Sequence, residues 1–288
     1  MQISRISFQD PQFPDRLHDL ERLKGMGVPK QIFVRGTLPK PEDRLITIVG
    51  TRKVSKYGEQ VTYQLAYELA QAGAVIVSGL AFGVDTIAIR AAVEAGGRAI
   101  AVLGTPLDRI SPAPNRGLAN ELLELGGALI SEYEVGTEVQ PWFFAVRDRI
   151  IAALSEATIV TESPTQGGSL ITASHAKELG RNVMAVPGNI TSENSAGTNR
   201  LIAQGAKLVT NYTDVAPELG LHIRVARPVM PRSKEEATIA NLLETASATS
   251  QQLIEASGFS AAQFANVISL MEITGKVRNL GAGVWVRR

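Results

Sequence analysis

Short apolar runs that end at glycine loops constrain the fold of this chain more than any other feature. Residues 45–50 read LITIVG and residues 75–79 read VIVSG. Continuous apolar runs of this length are typical of parallel strands that are covered on both faces. Between them, Val61, Leu65 and Leu69 recur at helical spacing, which predicts a helix that packs on the sheet. The stretch therefore predicts the first unit of a doubly wound sheet.

The same alternation of strand and helix signals continues to about residue 219. Strands that alternate with helices specify βαβ units, so we expect a Rossmann-like, doubly wound, mainly parallel α/β sheet of about six strands. The loops of unusual composition all follow strands. They should meet along one rim, at the carboxyl ends of the strands, where open α/β sheets bind ligands.

Four segments are expected along the chain. Residues 1–44 read as a lead-in that packs on the main domain, because about 40 residues seldom sustain a core. Residues 45–221 form the Rossmann-like domain. Residues 222–234, which contain proline and four basic residues but no acid, form a linker. Residues 235–288 contain three helix signals and a hairpin signal around residues 281–283, which predicts a winged helix-turn-helix domain.

Composition excludes several classes of protein. The chain has no cysteine, which excludes disulfides and thiolate metal sites. No apolar run approaches the roughly 18 residues of a membrane span, and the start of the chain lacks the regions of a signal peptide. We therefore expect a cytoplasmic protein with no membrane contact, cofactor or metal. The net charge of +1 does not exclude a nucleic-acid partner, because positive charge can be concentrated locally.

The loop after the first predicted strand is rich in groups that bind phosphate. Residues 50–58, GTRKVSKYG, match neither the dinucleotide fingerprint nor the P-loop. The loop instead offers Arg52, Lys53, Ser55 and Lys56 just before the amino end of a helix, which attracts anions. The alternative is a solvated turn that caps the helix.

A second group of candidates opens a later helix. Arg147 and Arg149 flank Asp148, next to the aromatic residues 142–144. Aromatic rings stack on bases while guanidinium groups hold phosphates, so this segment suits single-stranded nucleic acid. The alternative is ordinary core packing by the aromatic rings, with Asp148 neutralising the two arginines.

Three further loops contribute candidates. Gly167, Gly168 and Ser169 open a helix and can form an anion-binding nest. Asn199 follows a polar loop and is a candidate ligand, the alternative being a plain surface loop. Asp85 follows the glycine loop SGLAFG and is expected to cap the next helix.

The predicted winged domain is not cationic. Residues 249–274 contain no Lys or Arg, whereas phosphate contacts normally supply most of the affinity of a DNA-binding protein. We expect this domain to serve protein interaction or packing rather than DNA reading.

Six motifs, in their order along the chain, resemble the DNA-processing protein A family, also called DprA or Smf. They are GTRKVSKYG, SGLAFGVD, VRDRIIAALS, GGSLITASHA, VPGN and GTNRLIAQGA, and the resemblance covers about residues 10–219. It implies a Rossmann-like domain that binds single-stranded DNA and dimerises. It also implies a role in natural transformation, in which the protein protects incoming DNA and loads the RecA recombinase without catalysing a reaction.

The resemblance also implies site residues. Arg52 is similar to the arginine of the family's G-[ST]-R loop, which contacts phosphate. Arg147 and Arg149 fit the R-N-R of its helix start. Gly168 and Ser169 fit its G-S-L loop.

Other positions match the family pattern less closely. Asn115 and Arg116 approximate its tyrosine-proline-x-x-asparagine segment, in which Ser111 replaces the usual tyrosine. Asp148 stands where the family usually has asparagine, and its negative charge beside the pocket is expected to weaken DNA binding. The resemblance thus implies a mediator that binds DNA without sequence preference and whose partners are single-stranded DNA, RecA and a second copy of the chain.

Two other functions compete with this hypothesis. One is a nucleotide-processing enzyme of the related phosphoribohydrolase-like superfamily, which carries P-G-G-x-G-T-x-x-E. The comparable loop here, TQGGSLITASH, lacks the acid. The other is a transcription regulator that senses a nucleotide through the sheet, a role that fits poorly with a third winged-domain helix lacking Lys and Arg.

Overall fold

The computed structural model describes residues 2–221, 233–244, 246–273 and 276–287. The chain divides into two compact units, Met1–Ile223 and Arg224–Arg288. Apart from its last two residues, the linker predicted at 222–234 lies outside the described residues.

A mostly parallel sheet forms the centre of the first unit. Among the described residues it has nine strands: Ser4–Ser7 (β1), Gln31–Gly36 (β2), Leu45–Val49 (β3), Val75–Ser78 (β4), Ala99–Leu103 (β5), Ala128–Ser131 (β6), Ala157–Val160 (β7), Asn182–Ala185 (β8) and Lys207–Leu208 (β9). Their order across the sheet is β1-β2-β6-β5-β4-β3-β7-β8-β9. The strands from β6 to β9 in this order are parallel, whereas β2 and β1 pair antiparallel at one edge. The predicted mainly parallel α/β sheet is confirmed, and β1, β2 and β9 bring its strands to nine rather than about six.

Helices cover both faces of this sheet. In the described part of the first unit they are Lys56–Gln71 (α1), Val84–Glu94 (α2), Arg116–Glu124 (α3), Phe143–Leu154 (α4), Ser169–Glu178 (α5) and Glu193–Ala203 (α6). One apolar core lies between the sheet and α1 to α3, and a second lies under α4 and α5. Both cores exist because alternate side chains of a strand point to opposite faces. In β3, Ile46 and Ile48 enter the first core while Leu45 and Val49 enter the second.

The segment before β3 packs on the main sheet. Residues Asp15–Arg22 form a 3-10 helix, and its buried Leu17 and Leu20 belong to the second core. Its Arg16 also reaches Glu156, next to β7, with 2.8 Å between Nη2 and Oε1. These contacts join the start of the chain to the sheet.

The strand order creates a crevice beside β3. After β3 the chain runs outward through β4, β5 and β6, and α4 then brings it back to β7 on the other side of β3. The connection after β3 leads to α1 on one face, and the connection after β7 leads to α5 on the opposite face. Loops that diverge in this way leave a gap at the carboxyl ends of the strands, where open α/β sheets bind ligands.

The second unit combines three helices with a small antiparallel sheet. Its described elements are Lys234–Leu242 (α7), Ala248–Thr249 (β10), Ser250–Ser257 (α8), Ala261–Ile273 (α9), Val277–Asn279 (β11) and Val284–Arg287 (β12), with strand order β10-β12-β11. Ile239, Phe264 and Trp285 lie in its apolar core, and Lys276 forms a buried ion pair with Glu236. The elements agree with the three helices and hairpin expected here, while the assignment of this unit as a winged helix-turn-helix domain stays a prediction.

Two kinds of feature are absent from the described residues. None of the described helices is long and apolar enough to cross a membrane. The described His, Asp and Glu side chains form no group of three or more that is arranged to hold a metal ion.

The first core predicts a clear effect of truncating a buried side chain in a central strand. Ile48 is fully buried in β3, so Ile48→Ala should lower the free energy of unfolding by roughly 2–5 kcal/mol. Chemical denaturation measures this change. The matched control is Ile190→Ala, because Ile190 is 91% exposed and its truncation should change stability by less than ~0.5 kcal/mol. Equal effects of the two substitutions would contradict the placement of Ile48 in the core.

Candidate functional site

The crevice at the carboxyl ends of β3 and β7 is an open cleft of about 510 Å³. Its walls come from the loop after β3, the amino-terminal turns of α4 and the turn that precedes α5. The cleft brings together six of the residues predicted from the sequence: Arg52, Lys53, Arg147, Gly167, Gly168 and Ser169. The expectation that loops following the strands share one rim holds for these three segments.

Positive charge lies at the rim of the cleft. Arg52 and Lys53 are exposed, and within the part of the chain that the structure describes neither side chain forms a salt bridge. Their backbone is nevertheless fixed, because Thr51 donates its N–H to the carbonyl oxygen of Glu162 over 2.8 Å. The side chain of Asn194 also donates to the carbonyl oxygen of Lys53 over 2.8 Å. The backbone of this loop is therefore fixed, while its two cations form no salt bridge within the described residues.

A buried carboxylate holds the end of this loop. Glu162 is 1% exposed and accepts hydrogen bonds from the N–H of Ser55 at 2.9 Å and from its hydroxyl at 2.6 Å. The same hydroxyl accepts from the N–H of Gly58 at 3.1 Å and so caps α1. Ser55 thus caps α1, as the alternative expects, and DNA contact by Ser55 stays a prediction. At position 58 a Cβ atom would lie 2.1 Å from Oε2 of Glu162, so any other residue there would displace this carboxylate.

A second buried network forms the floor of the cleft. Arg147 is 5% exposed, and its Nη1 donates to the carbonyl oxygen of Gly79 at 2.8 Å and to that of Val102. Its Nε donates to Oδ1 of Asp148 at 3.0 Å. Asp85 accepts from the N–H of Gly79 at 3.1 Å. One guanidinium thus joins α4 to the ends of β4 and β5.

The expected capping role of Asp85 is wrong. The N-cap of α2 is Gly83, at φ 77°, and Asp85 lies inside the first turn of the helix. Gly83 is required because a Cβ atom there would lie 2.3 Å from the carbonyl oxygen of Thr51. The side chain of Asp85 therefore serves the floor network instead of the helix end.

Burial changes the acidity of both floor carboxyls. Burial raises the pKa of Asp85, and the neighbouring Arg147 guanidinium opposes this effect. The pKa of Asp148 is raised to about 6, mainly by burial. Arg147 opposes this rise, and the negative charge of Asp85 adds to it. The two acids repel each other across one shared cation, so the second ionisation is the difficult one.

Two predicted basic residues lie outside the cleft lining. Arg149 is buried and its Nη2 donates to both oxygens of Glu132 at 2.8 Å. Lys56 is exposed and pairs with Glu59 at 3.1 Å. DNA contact by Arg149 and Lys56 stays a prediction.

Three more of the predicted residues also lie outside the cleft lining. Asn115 is buried and donates to the carbonyl oxygen of Leu80 at 2.8 Å. Asn199 bridges the N–H and carbonyl oxygen of Gly188 at 3.2 and 3.0 Å. Arg116 is exposed and lines a separate depression that also contains Asp108. The two asparagines have structural partners, and a role of these three residues in binding stays a prediction.

The aromatic residues at the start of α4 have different environments. Phe143 is buried and stacks on Tyr133, with 3.7 Å between ring centroids. Trp142 is 58% exposed and meets the edge of Phe143. Phe144 lines the cleft. The packing alternative is therefore correct for Phe143, whereas Phe144 is one of the residues that line the cleft.

Sequence reasoning does not single out Glu162, although it holds the rim loop. The signal for it is an acid two residues beyond the apolar strand β7, at the edge of a loop that contains two glycines. A buried carboxylate needs hydrogen-bond donors. Here the donors are the N–H and hydroxyl groups of Ser55, in the neighbouring loop after β3.

Known proteins share this fold and these motifs. The family model described as DNA recombination-mediator protein A matches residues 4–220. The chain belongs to this family. The relatives that carry the DprA and Smf names include Protein Smf of Escherichia coli, which is 42% identical over 196 residues. That alignment covers 67% of this chain but 52% of the relative, so the chain matches only about half of the length of that protein.

Solved structures agree with the family assignment. The X-ray structure of DNA processing protein A (DprA) from Streptococcus pneumoniae is similar with a TM-score of 0.69 and 37% identity, over 77% of this chain and 76% of that one. The structure of DNA processing protein A from Helicobacter pylori is similar with a TM-score of 0.66 and 30% identity. The match covers 77% of this chain and 98% of that one. The structure of the Helicobacter protein concerns its single-stranded DNA binding mode.

The contact between Glu162 and Ser55 predicts how the rim loop is held. Glu162→Ala removes both acceptors, so the N–H of Ser55 should exchange with solvent faster and stability should fall by about 1–3 kcal/mol. Hydrogen exchange and thermal unfolding measure these effects. Glu162→Gln keeps one carbonyl acceptor and should give an intermediate result. Unchanged exchange at Ser55 in Glu162→Ala would show that the loop is held by other contacts.

Proposed function

We propose that this chain is a mediator that binds single-stranded DNA without sequence preference, through the cleft between the β3 and β7 loops. The observation that carries this proposal is the position of Arg52 and Lys53. Both are exposed cations that line the cleft, and neither forms a salt bridge within the described residues. An unpaired guanidinium at such a site matches the oxygen atoms of a phosphate.

The opposite wall of the cleft supports the same ligand. Gly168 and Ser169 line it at the amino end of α5, where the positive end of the helix dipole attracts anions. Phe144 also lines the cleft, and aromatic rings can stack on unpaired bases. Phosphate groups and a base can thus be held together.

The size of the cleft favours a single strand over a duplex. A volume of about 510 Å³ is in the range of small-molecule sites and suits a few nucleotides of a flexible strand. Stiff B-form duplex would meet only the rim cations. The binding mode named for the Helicobacter relative is consistent with this choice.

We further propose that the protein acts by binding rather than by catalysis. As a cytoplasmic homodimer it would protect incoming DNA and help to load RecA during natural transformation. The resemblance of the six motifs and the membership in the recombination-mediator family support these finer points. A direct test is the assembly of RecA filaments on single-stranded DNA, which the wild-type protein should accelerate and Arg52→Ala should not.

Oligonucleotide binding tests the proposed site. Arg52→Ala should weaken the binding of a short single strand about tenfold or more, because a hydrogen bond between a charged side chain and a phosphate contributes roughly 1.5–3 kcal/mol. The slope of log K against log salt should become shallower by about 0.7 for each phosphate that the variant no longer neutralises. Fluorescence anisotropy at several salt concentrations measures both quantities.

The matched control for this experiment is Arg90→Ala. Arg90 is exposed on α2 and does not line the cleft, so its removal changes the net charge equally and should leave the affinity almost unchanged. Equal affinities of wild type and Arg52→Ala, or equal affinities for single strand and duplex, would contradict the proposed function.

A further inference from the structure

An acid lies inside the cleft that we assign to phosphate. Asp148 lines the cleft together with Arg52 and Arg147. Its side chain is 14% exposed, so it reaches the cavity from the floor. A carboxylate in this place repels a phosphodiester and occupies a cation that would otherwise attract one. Attraction of phosphate therefore does not explain why an acid occupies this position.

We propose that Asp148 sets the affinity of the cleft for single-stranded DNA, and that the cleft takes up a proton at Asp148 when a phosphate enters. This inference rests on the proposed function of the cleft. It assigns to Asp148 the role of tuning the strength and the pH dependence of binding.

The charges around Asp148 support this role. Arg147 from its own helix, Asp85 from α2 and Arg52 from the loop after β3 interact with it electrostatically. The turn before α5 adds Gly167, Gly168 and Ser169 to the cleft, and α5 adds Thr172, all uncharged. With both acids ionised, the floor holds two negative charges against one buried cation.

The floor stays intact when Asp148 loses its charge. Arg147 remains bonded to the carbonyl oxygens of Gly79 and Val102, and Asp85 still accepts from Gly79. One carboxylate then balances one guanidinium, which is the neutral arrangement for a buried site. Protonation of Asp148 therefore removes the excess negative charge while Asp85 continues to balance Arg147.

A phosphate that enters the cleft adds negative charge close to Asp148. This charge makes the ionised form of Asp148 less favourable, so binding and proton uptake are linked. The pKa of Asp148, raised by burial to about 6 in the free protein, should rise further in the complex. The affinity should then be highest below about pH 6 and decrease as the pH rises above it.

The variant Asp148→Asn separates this role from a purely structural one. The amide oxygen of asparagine can still accept the hydrogen bond from Nε of Arg147, while the charge and the titration are removed. At about pH 7.5 the variant should bind single-stranded DNA about tenfold more tightly than wild type, and at about pH 5 the two should converge. Its affinity should depend little on pH over this range.

The binding partner should not titrate in the same range. A thymine-only oligonucleotide with no terminal phosphate meets this condition, since a terminal phosphate has a second pKa of about 6. Asp108→Asn is the matched control, because Asp108 is exposed outside the cleft and its replacement changes the net charge by the same amount. This control should follow the pH profile of wild type.

Calorimetry provides a readout that does not depend on a variant. In two buffers with different ionisation enthalpies, binding by the wild-type protein near pH 7 should show uptake of a fraction of a proton. Zero uptake by wild type would overturn the proposal, as would parallel pH profiles and equal affinities of wild type and Asp148→Asn. If no form of the protein binds the strand at any pH, the proposed function itself is wrong and the inference falls with it.

Discussion

A guanidinium group that is removed from water is stable only where acceptors meet its N–H groups. Arg147 satisfies this condition with two carbonyl oxygens at the carboxyl ends of β4 and β5 and with the carboxylate of Asp148. The close approach needs a glycine, since a Cβ atom at position 79 would lie 2.3 Å from Nη1 of Arg147. The same buried group therefore fixes α4, the floor of the cleft and the backbone of two strands.

The rim of the cleft depends on a second constraint, which is the burial of Glu162. Its carboxylate fixes the loop that follows β3 through Ser55, and its carbonyl oxygen fixes Thr51 in the same loop. The strand order makes this possible because β3 and β7 are neighbours whose connections lead to opposite faces. Arg52 and Lys53 are thus held by their backbone while their side chains stay free. Preorganisation of this kind lowers the entropy that binding costs.

The sequence predicted the sheet and the rim well, because both follow from local patterns. Buried parallel strands must be apolar, and their carboxyl ends must meet on one edge. The two edge strands escaped prediction since β1 reads SRIS and β9 has only two residues. Neither has an apolar run of strand length.

The direction of individual side chains was harder to predict than the position of the loops. Arg147 and Arg149 are two residues apart on one helix, and residues at this spacing do not share a face. Arg147 accordingly lines the cleft, whereas Arg149 lies outside the cleft lining and donates to Glu132. The partner of Asp85 was also hard to predict. Asp85 accepts a hydrogen bond from the N–H of Gly79, and this contact forms only because the glycine loop folds back on the start of α2. Contacts between loops that are distant in sequence leave no local periodicity, and such contacts decide which residues at this rim face the ligand and which hold the others in place.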